Sequence, residues 1–223
     1  NMTILITGAN RGIGLELARH YVAKGERVIA TTRDQIPADL ETKAEWIVLD
    51  VTNPASFARV DAALDGHAID LLICNAGVLL DRHERLADGY AAKIWADTFA
   101  VNVTGPFLTV QNLLPNLQAA KAAKVVIIAS KMGSNTHAKG GSYVYRASKA
   151  AAINLASNLA CDLSHLGISV GAYHPGWVQT DMGGSSADIP ATEAVAGLTK
   201  AFADLSLATT GCFQNYDGTD LPF

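Results

Sequence analysis

The sequence is poor in cysteine and contains no long apolar run. Its 223 residues include only three cysteines, which lie far apart and are odd in number: Cys74, Cys161 and Cys212. Such a pattern indicates neither a disulfide framework nor a zinc site. No apolar stretch reaches the ~18 uninterrupted residues that a membrane-spanning helix requires, so no interaction with a membrane is expected.

An excess of basic residues is also missing, since the sequence has 17 lysines and arginines and 21 acidic residues, for a net charge of −4. This balance excludes the electrostatic footprint of a protein that binds nucleic acid or an anionic membrane. Internal repeats, low-complexity tracts and a domain linker are absent from the sequence as well. With 49% hydrophobic content, residues 1–223 are expected to form a single domain around one large core.

What the sequence does contain is a regular alternation of apolar, strand-like runs with helical patterns. One helix has a clear start, because Asn53 is a capping residue and Pro54 suits the first turn, and Gly66 marks its end. Near-continuous apolar strands joined by helices predict an α/β fold, a single Rossmann-type doubly wound parallel sheet with helices on both faces. Two irregular segments, Asp81–Gly89 and Lys131–Ser142, are expected over the carboxyl edge of the sheet, where ligands bind. The predicted strands are Met2–Ile6, Arg27–Thr32, Trp46–Leu49, Ile69–Cys74, Lys124–Ser130 and Ile168–Tyr173.

The first strand leads directly into a glycine-rich turn, Gly8-Ala9-Asn10-Arg11-Gly12-Ile13-Gly14, and then into a helical pattern. Glycines let the backbone approach a pyrophosphate, and the following helix offers free N–H groups and the positive end of its dipole. The spacing is Gly-x-x-x-Gly-x-Gly, which differs from the commoner dinucleotide fingerprint. A tight loop is the plain alternative, but a glycine turn that opens a βαβ unit favours phosphate binding.

Tyr145 and Lys149 form the most informative pair in the sequence. Their four-residue spacing puts both side chains on one face of a helix. There the ammonium would favour the phenolate and lower the pKa of Tyr145 toward the working pH, which suits a general acid for carbonyl reduction. Taken alone, such a pair is more often a packed ring beside a solvated amine, so its interpretation depends on the glycine turn.

With both motifs present, the sequence resembles the short-chain dehydrogenase/reductase family along nearly its whole length. Two further segments, His174–Gly184 and Tyr216–Gly218, are similar to a C-factor-like subgroup of small carbonyl reductases. Several more residues match the family pattern in order: Asp50-Val51 after the third strand, Asn75-Ala76-Gly77 after the fourth, Asn102 in the long helix, Ser130 at the end of the fifth strand, and Pro175-Gly176 and Thr180 after the sixth.

The resemblance implies an NADP(H)-dependent oxidoreductase that transfers a hydride between the nicotinamide and a carbonyl or alcohol substrate, as an aldehyde or ketone reductase does. Tyr145 is the expected general acid/base, and Lys149 is expected to assist it and to hydrogen-bond the nicotinamide ribose. Ser130 is expected to hold the substrate oxygen, and Asn102 to position a water that re-protonates the site through Lys149. The implied cofactor-binding residues are Gly8, Asn10, Arg11, Gly12, Ile13, Gly14, Thr32, Arg33, Asp50, Val51, Asn75, Ala76, Gly77, Tyr145, Lys149, Pro175, Gly176, Val178 and Thr180.

Two of these assignments have alternatives, and one further residue could be mistaken for a catalytic one. Ser130 lies somewhat further from Tyr145 than the resemblance implies, so Ser134 is a rival, but the end of a strand is the stiffer place for a catalytic group. Asn102 also begins a formal glycosylation sequon, a reading that needs a secreted protein. His174 could look catalytic, although a hydrogen-bonded structural role is expected and the histidines show no metal-ligand spacing.

The choice of cofactor depends on the end of the second strand, Thr32-Arg33-Asp34. NAD enzymes place a carboxylate there that binds both ribose hydroxyls and repels a 2′-phosphate, and here Thr32 takes that position. Arg33 and Arg11 could flank the phosphate in charge-assisted contacts, which favours NADP(H). Asp34 would make NAD(H) competitive if it turned inward, and both arginines could instead be solvated surface residues.

Two classes of function stay open. The first is a reductase of small-molecule carbonyl compounds. The second is a dinucleotide-binding signalling protein with little or no catalysis, because fold does not determine function and C-factor-like proteins are associated with cell signalling. The presence of all four expected catalytic residues, Asn102, Ser130, Tyr145 and Lys149, favours an enzyme over a protein that only binds a dinucleotide. A sugar-nucleotide epimerase is disfavoured by the spacing of the glycine turn.

The resemblance also implies a homodimer or homotetramer through the helix that follows Tyr145. Its many small side chains would permit close contact between helices, although packing against the sheet explains the same alanines equally well. The first predicted strand begins at Met2, which leaves no room for a signal peptide. The cytosol is therefore the expected compartment.

Overall fold

The structure, a computed structural model that describes residues 1–179 and 188–223, alternates strands with helices. The strands are β1 Thr3–Ile6, β2 Arg27–Thr32, β3 Glu45–Val48, β4 Leu71–Cys74, β5 Lys124–Ile128, β6 Ser169–His174, the short β7 Val178–Gln179 and β8 Ile189–Pro190, and β9 Cys212–Asn215. The α-helices are α1 Gly12–Ala23, α2 Phe57–Leu64, α3 Ala92–Phe99, α4 Gly105–Gln118, α5 Tyr143–Leu163 and α6 Ala191–Asp204.

Seven of the strands form one parallel sheet in the order β3-β2-β1-β4-β5-β6-β9. The chain runs outward from β1 to β3 and then returns to build the other half from β4. This reversal between β1 and β4 opens a crevice at the carboxyl ends of the strands, where ligands bind in open α/β sheets. The predicted fold class is confirmed.

Both faces of the sheet are covered, because alternate strand residues point to opposite sides. In β1, Leu5 packs into the core under α2, α4 and α5, whereas Ile4 and Ile6 pack into the core under α1 and α6. All three side chains are fully buried. The near-continuous apolar character of the central strands therefore has the predicted cause, since both faces of these strands meet a helix layer.

Three sequence predictions about the elements need correction. Strand β9 was missed, because only Phe213 among its residues is fully buried and an edge strand carries a weak apolar signal. Strand β5 ends at Ile128 and β4 begins at Leu71, so both are two residues shorter than predicted. Asn102 lies in a π-helical turn, Ala100–Thr104, between α3 and α4.

Helix α2 begins as predicted. The Asn53 side chain accepts a hydrogen bond from the Ala55 N–H at 3.1 Å, and Pro54 opens a single 3₁₀ turn ahead of the helix. In α5, Ala152, Ala156 and Ala160 are buried in the core beside the sheet. No helix in the described ranges is long and apolar enough to cross a bilayer.

Candidate active site

The loops at the carboxyl edge of the sheet enclose one cleft of about 1110 Å³. Gly14 and Asn102 lie outside its lining, and Thr180 lies outside the described residues. The other predicted site residues all line this cleft: Gly8, Asn10, Arg11, Gly12, Ile13, Thr32, Arg33, Asp50, Val51, Asn75, Ala76, Gly77, Ser130, Tyr145, Lys149, Pro175, Gly176 and Val178. The fold thus brings together residues from every part of the sequence.

The glycine turn after β1 is packed tightly against the turn after β4. Gly8 has a φ of +62°, and a Cβ there would come to 2.9 Å from the Ala76 Cα, so no other residue fits without displacing backbone. The Asn75 Nδ2 donates to the Gly8 carbonyl at 3.0 Å. A Cβ on Gly14 would clash with that same amide, which explains a glycine that does not face the cleft.

The first turn of α1 meets the chemical requirements of a phosphate site. Its preceding residue, Arg11, is extended and its side chain makes no capping hydrogen bond to the helix. The first backbone N–H groups of a helix that has no side-chain cap point toward its N-terminal end, here the glycine turn that lines the cleft. The residues present therefore fit a dinucleotide pyrophosphate.

The end of β2 presents one hydroxyl and two opposite charges. Thr32 is buried and its Oγ1 accepts the Asp34 N–H at 3.0 Å. Arg33 and Asp34 are exposed and both line the cleft. Two hydrogen bonds from Thr52 lower the pKa of Asp50, with a smaller effect from the Arg33 charge. This end of the cleft therefore offers both a guanidinium, from Arg33, and a carboxylate, from Asp34.

Tyr145 and Lys149 lie side by side, both buried, on the face of α5 that lines the cleft. The Lys149 Nζ lies 5.7 Å from the centre of the Tyr145 ring and donates to the Ile128 carbonyl at 3.1 Å. Burial lowers the pKa of Lys149 to about 8. The helical spacing therefore produces the expected juxtaposition.

The direction predicted for the Tyr145 pKa is wrong in this structure. Burial raises that pKa to about 12, and a hydrogen bond with Ser130 and the charge of Arg82 offset only part of the increase. The neighbouring Lys149 does not offset this increase. Tyr145 consequently holds its proton at neutral pH, as a proton donor must.

Ser130 and Ser134 face different parts of the molecule. Ser130 lies two residues beyond β5, where its hydroxyl contacts Tyr145 and accepts the Met132 N–H at 3.1 Å. The Ser134 hydroxyl donates instead to the Pro222 carbonyl at 2.6 Å. Of the two candidates, only Ser130 lines the cleft. The choice of Ser130 over Ser134 is thus supported by geometry, while its role stays a prediction.

Asn102 is buried, and its side-chain amide joins the turn after β4 to helix α5. Its Oδ1 accepts the Val78 N–H at 2.9 Å, and its Nδ2 donates to the Val78 carbonyl and to the Ser148 hydroxyl at 2.9 and 3.0 Å. The Ser148 hydroxyl in turn donates to the Tyr145 carbonyl. A buried amide in these bonds is a poor glycan acceptor, and a water-positioning role stays a prediction.

His174 has the structural role that was expected. Its Nδ1 accepts the Lys131 N–H at 3.0 Å, which fastens the loop after β5 to the end of β6. Burial, assisted by the charges of Lys131 and His137, lowers the pKa of His174 to about 4, so the ring is neutral. Within residues 1–179 and 188–223, no cluster of three or more potential ligands could hold a metal ion.

Sequence reasoning missed Asp81, which is fully buried. Its carboxylate accepts the N–H groups of Val144 and Tyr145 at 2.9 and 3.2 Å. Ser142, the residue before α5, has a φ of 43° and makes no side-chain cap, so Asp81 caps this helix from a distant loop. The only signal in the sequence was an acidic residue at the start of an irregular segment.

Comparison with known proteins agrees with this geometry. The family model described as "short chain dehydrogenase" matches residues 2–189. The chain is 38% identical over 156 residues to C-signal of Myxococcus xanthus, an alignment that covers 70% of the chain and 93% of that protein. It is 35% identical to 1-hydroxy-2-glutathionyl-2-methyl-3-butene dehydrogenase of Rhodococcus sp. (strain AD45), with 98% of each covered.

Among solved structures, the NADPH-bound carbonyl reductase from chicken fatty liver superposes with a TM-score of 0.90 at 32% identity, covering 99% of this chain and 98% of that one. The family match spans most of the chain, and the superposition spans nearly all of it. The sheet is parallel and doubly wound as the resemblance implies, and the glycine turn and the Tyr145–Lys149 pair line the same cleft. The chain belongs to the short-chain dehydrogenase/reductase family.

Proposed function

We propose that the protein is an NADP(H)-dependent oxidoreductase that reduces an aldehyde or ketone to the alcohol, or catalyses the reverse reaction. The observation that carries the proposal is the Ser130 hydroxyl close to the Tyr145 phenol, with Lys149 beside the ring, inside the cleft that begins at the glycine turn. A protein that only binds a dinucleotide has no need of a buried phenol and hydroxyl next to a buried amine.

The glycine turn and the first turn of α1 would hold the pyrophosphate, with Asp50 and Val51 on the adenine side. Arg11 and Arg33, both exposed on the cleft, would hold the 2′-phosphate. Thr32 leaves the second strand without the carboxylate that would repel that phosphate. The NADPH bound by the chicken carbonyl reductase supports the same choice. When bound, the nicotinamide supplies or accepts the hydride.

Tyr145 would deliver its phenolic proton to the substrate oxygen, and its raised pKa keeps it protonated at neutral pH. Ser130 would hold that oxygen through its hydroxyl. Lys149, whose pKa is near 8, would return a proton to Tyr145 after each turnover. In the oxidative direction Tyr145 must first lose its proton, so alcohol oxidation should rise steeply toward alkaline pH while reduction does not.

A panel of aldehydes and ketones, followed by the loss of NADPH absorbance, tests the proposal. Reduction of at least one compound, faster with NADPH than with NADH and absent in the Tyr145→Phe variant, is the expected result. If no carbonyl compound is reduced while NADPH binds, the function is wrong.

The second candidate, a dinucleotide-binding signalling protein, is favoured by the similarity to C-signal. It predicts NADPH binding without turnover of any compound in the panel. The same measurement therefore decides between the two.

A further inference from the structure

The cleft continues past Tyr145 on the side away from the glycine turn. The sheet order places this end at β5 and β6, opposite β2 and β3. We call its outer part the distal wall, defined by Leu80, Arg82, Met132, Lys139, Arg146 and Trp177. Its residues come from the loops after β4, β5 and β6 and from the start of α5. If the proposed function is correct, this wall contacts the part of the substrate that does not react.

The distal wall has an apolar component. Leu80 and Trp177 are 45% and 49% exposed although both are large hydrophobic residues, and Met132, two residues after Ser130, lines the same cleft. Exposed apolar side chains that line a cleft favour an apolar ligand surface. The wall thus suits an aromatic or aliphatic substrate body next to the reacting carbonyl.

The charged component of the distal wall is cationic. Arg82, Lys139 and Arg146 all line the cleft, and the Arg146 Nε is anchored to the Gly141 carbonyl at 3.1 Å. Among the described residues that line this end, Asp188 alone is acidic. Asp81 lies behind the wall with its carboxylate on the N–H groups of α5. Among the described lining residues of this end, basic side chains therefore outnumber acidic ones, although the protein as a whole carries a net negative charge.

The charge of one of these cations, Arg82, acts on the reacting centre. The Arg82 charge lowers the pKa of Tyr145, an effect smaller than those of burial and of the hydrogen bond from Ser130. Burial is the main cause of the lowered pKa of His174, and the charges of Lys131 and His137 lower it further. The charged groups that act on these two rings are all cationic. Walls of one sign around a cleft focus the field and attract a ligand of the opposite sign.

We propose that the substrate is a carbonyl compound with an apolar body and an anionic group at the end remote from the carbonyl, held by Arg82, Lys139 and Arg146. A carboxylate and a phosphate share the required chemistry, since guanidinium groups bind both through paired N–H donors. Lys139 would add a point charge without a fixed geometry.

Three aldehydes with the same ring test this proposal: para-formylbenzoate, its uncharged methyl ester and para-formylphenyl phosphate. At low salt, kcat/KM with NADPH should be about tenfold or more higher for an anionic aldehyde than for the ester, mainly through KM. Added salt should reduce that advantage. The anionic aldehyde with the larger increase in kcat/KM over the ester, carboxylate or phosphate, identifies the anionic group that the site prefers. Equal kcat/KM for all three compounds would overturn the proposal.

Variants of the distal wall test which residues cause the preference for the anionic aldehyde. Arg146→Met and Lys139→Met should each lower kcat/KM several-fold more for para-formylbenzoate than for its ester. Lys121→Met removes one charge from an exposed lysine outside the cleft and should leave the ratio unchanged. A fall of the same size for acid and ester in Arg146→Met would assign that residue a structural role and contradict the proposal.

Binding separates this inference from the proposed function. The Tyr145→Phe variant loaded with NADPH is titrated with para-formylbenzoate and with its ester. Tighter binding of the acid without turnover by the unmodified protein would overturn the proposed function and leave the anion site standing. Equal affinities would overturn the anion site even if the unmodified protein reduces both aldehydes.

Discussion

The two ends of the cleft differ in how much of each can be recognised in a short segment of sequence. At the β1–β3 end, the glycine turn, the end of β2 at Thr32 and the residue Asp50 after β3 each belong to a short recognisable segment, although Asn75 also bonds to the glycine turn from the loop after β4. At the β5–β6 end, Asp81 bonds to Val144, while Ser134 bonds to Pro222, each across a large part of the chain. A turn can be recognised from its local spacing, whereas long-range contacts leave no periodic trace in the sequence.

The largest expected effect is at the centre, where the two ends meet. Tyr145→Phe keeps the ring and removes the transferable proton, so carbonyl reduction should fall on the order of 10³-fold. NADPH affinity, measured by fluorescence titration, should stay within a few-fold. Tyr143→Phe, two residues earlier and 40% exposed, is the matched control and should keep its activity. Near-normal turnover by the Tyr145 variant would refute the general-acid role.

Next in size is the choice between two serines on the β5 side. Ser130→Ala should lower kcat ~10²-fold with a modest change in KM, because its hydroxyl acts mainly in the transition state. Ser134→Ala should cost less than about tenfold, since it loses one hydrogen bond to Pro222. Steady-state kinetics of both variants, with thermal melts to monitor folding, make the comparison. A larger kcat loss at Ser134 would reverse the assignment.

The third prediction concerns Asp81, as a positioning residue for Tyr145. Asp81→Ala leaves two helix N–H groups without their acceptor and should destabilise the fold by about 2 kcal/mol. It should also lower kcat while leaving NADPH affinity unchanged, because the Asp81 carboxylate bonds to the start of α5 and not to the glycine turn. Asp81→Asn keeps one acceptor oxygen and should restore part of kcat.

Denaturant unfolding and kinetics are measured together for these variants, with Asp88→Ala, an exposed acid of the same loop, as the control. If Asp81→Ala destabilises the fold but kcat is unchanged under conditions where the protein stays folded, Asp81 caps the helix without positioning Tyr145.

The smallest expected effect concerns the affinity for NADPH relative to NADH, which depends on the β1–β3 end. NADPH should bind at least tenfold tighter than NADH, which corresponds to ~1.4 kcal/mol. Thr32→Asp should narrow or reverse this ratio by placing a carboxylate against the 2′-phosphate, while Thr42→Asp, exposed and outside the cleft, should not. Equal affinities in the unmodified protein would show that Arg11 and Arg33 do not hold the phosphate and that Asp34 favours NAD(H).

The comparison of the two ends explains which predictions from sequence succeeded. Six strands and the capped start of α2 could be read from local patterns, because apolar alternation and an Asn-Pro cap act within a few residues. Strand β9 could not, since its place depends on pairing with β6, more than thirty residues earlier in the chain. The pKa of Tyr145 also escaped prediction, because burial depends on the whole surrounding fold.

The sequence by itself determined the fold class, the glycine turn that opens the first βαβ unit and the four-residue spacing of Tyr145 and Lys149. Each of these follows from backbone geometry or helical periodicity over a short segment. Only the tertiary structure decided that Ser130 faces the phenol and Ser134 does not, and that Asp81 holds the start of α5. Those outcomes depend on which distant segments the sheet brings to one edge and on the desolvation that their packing imposes.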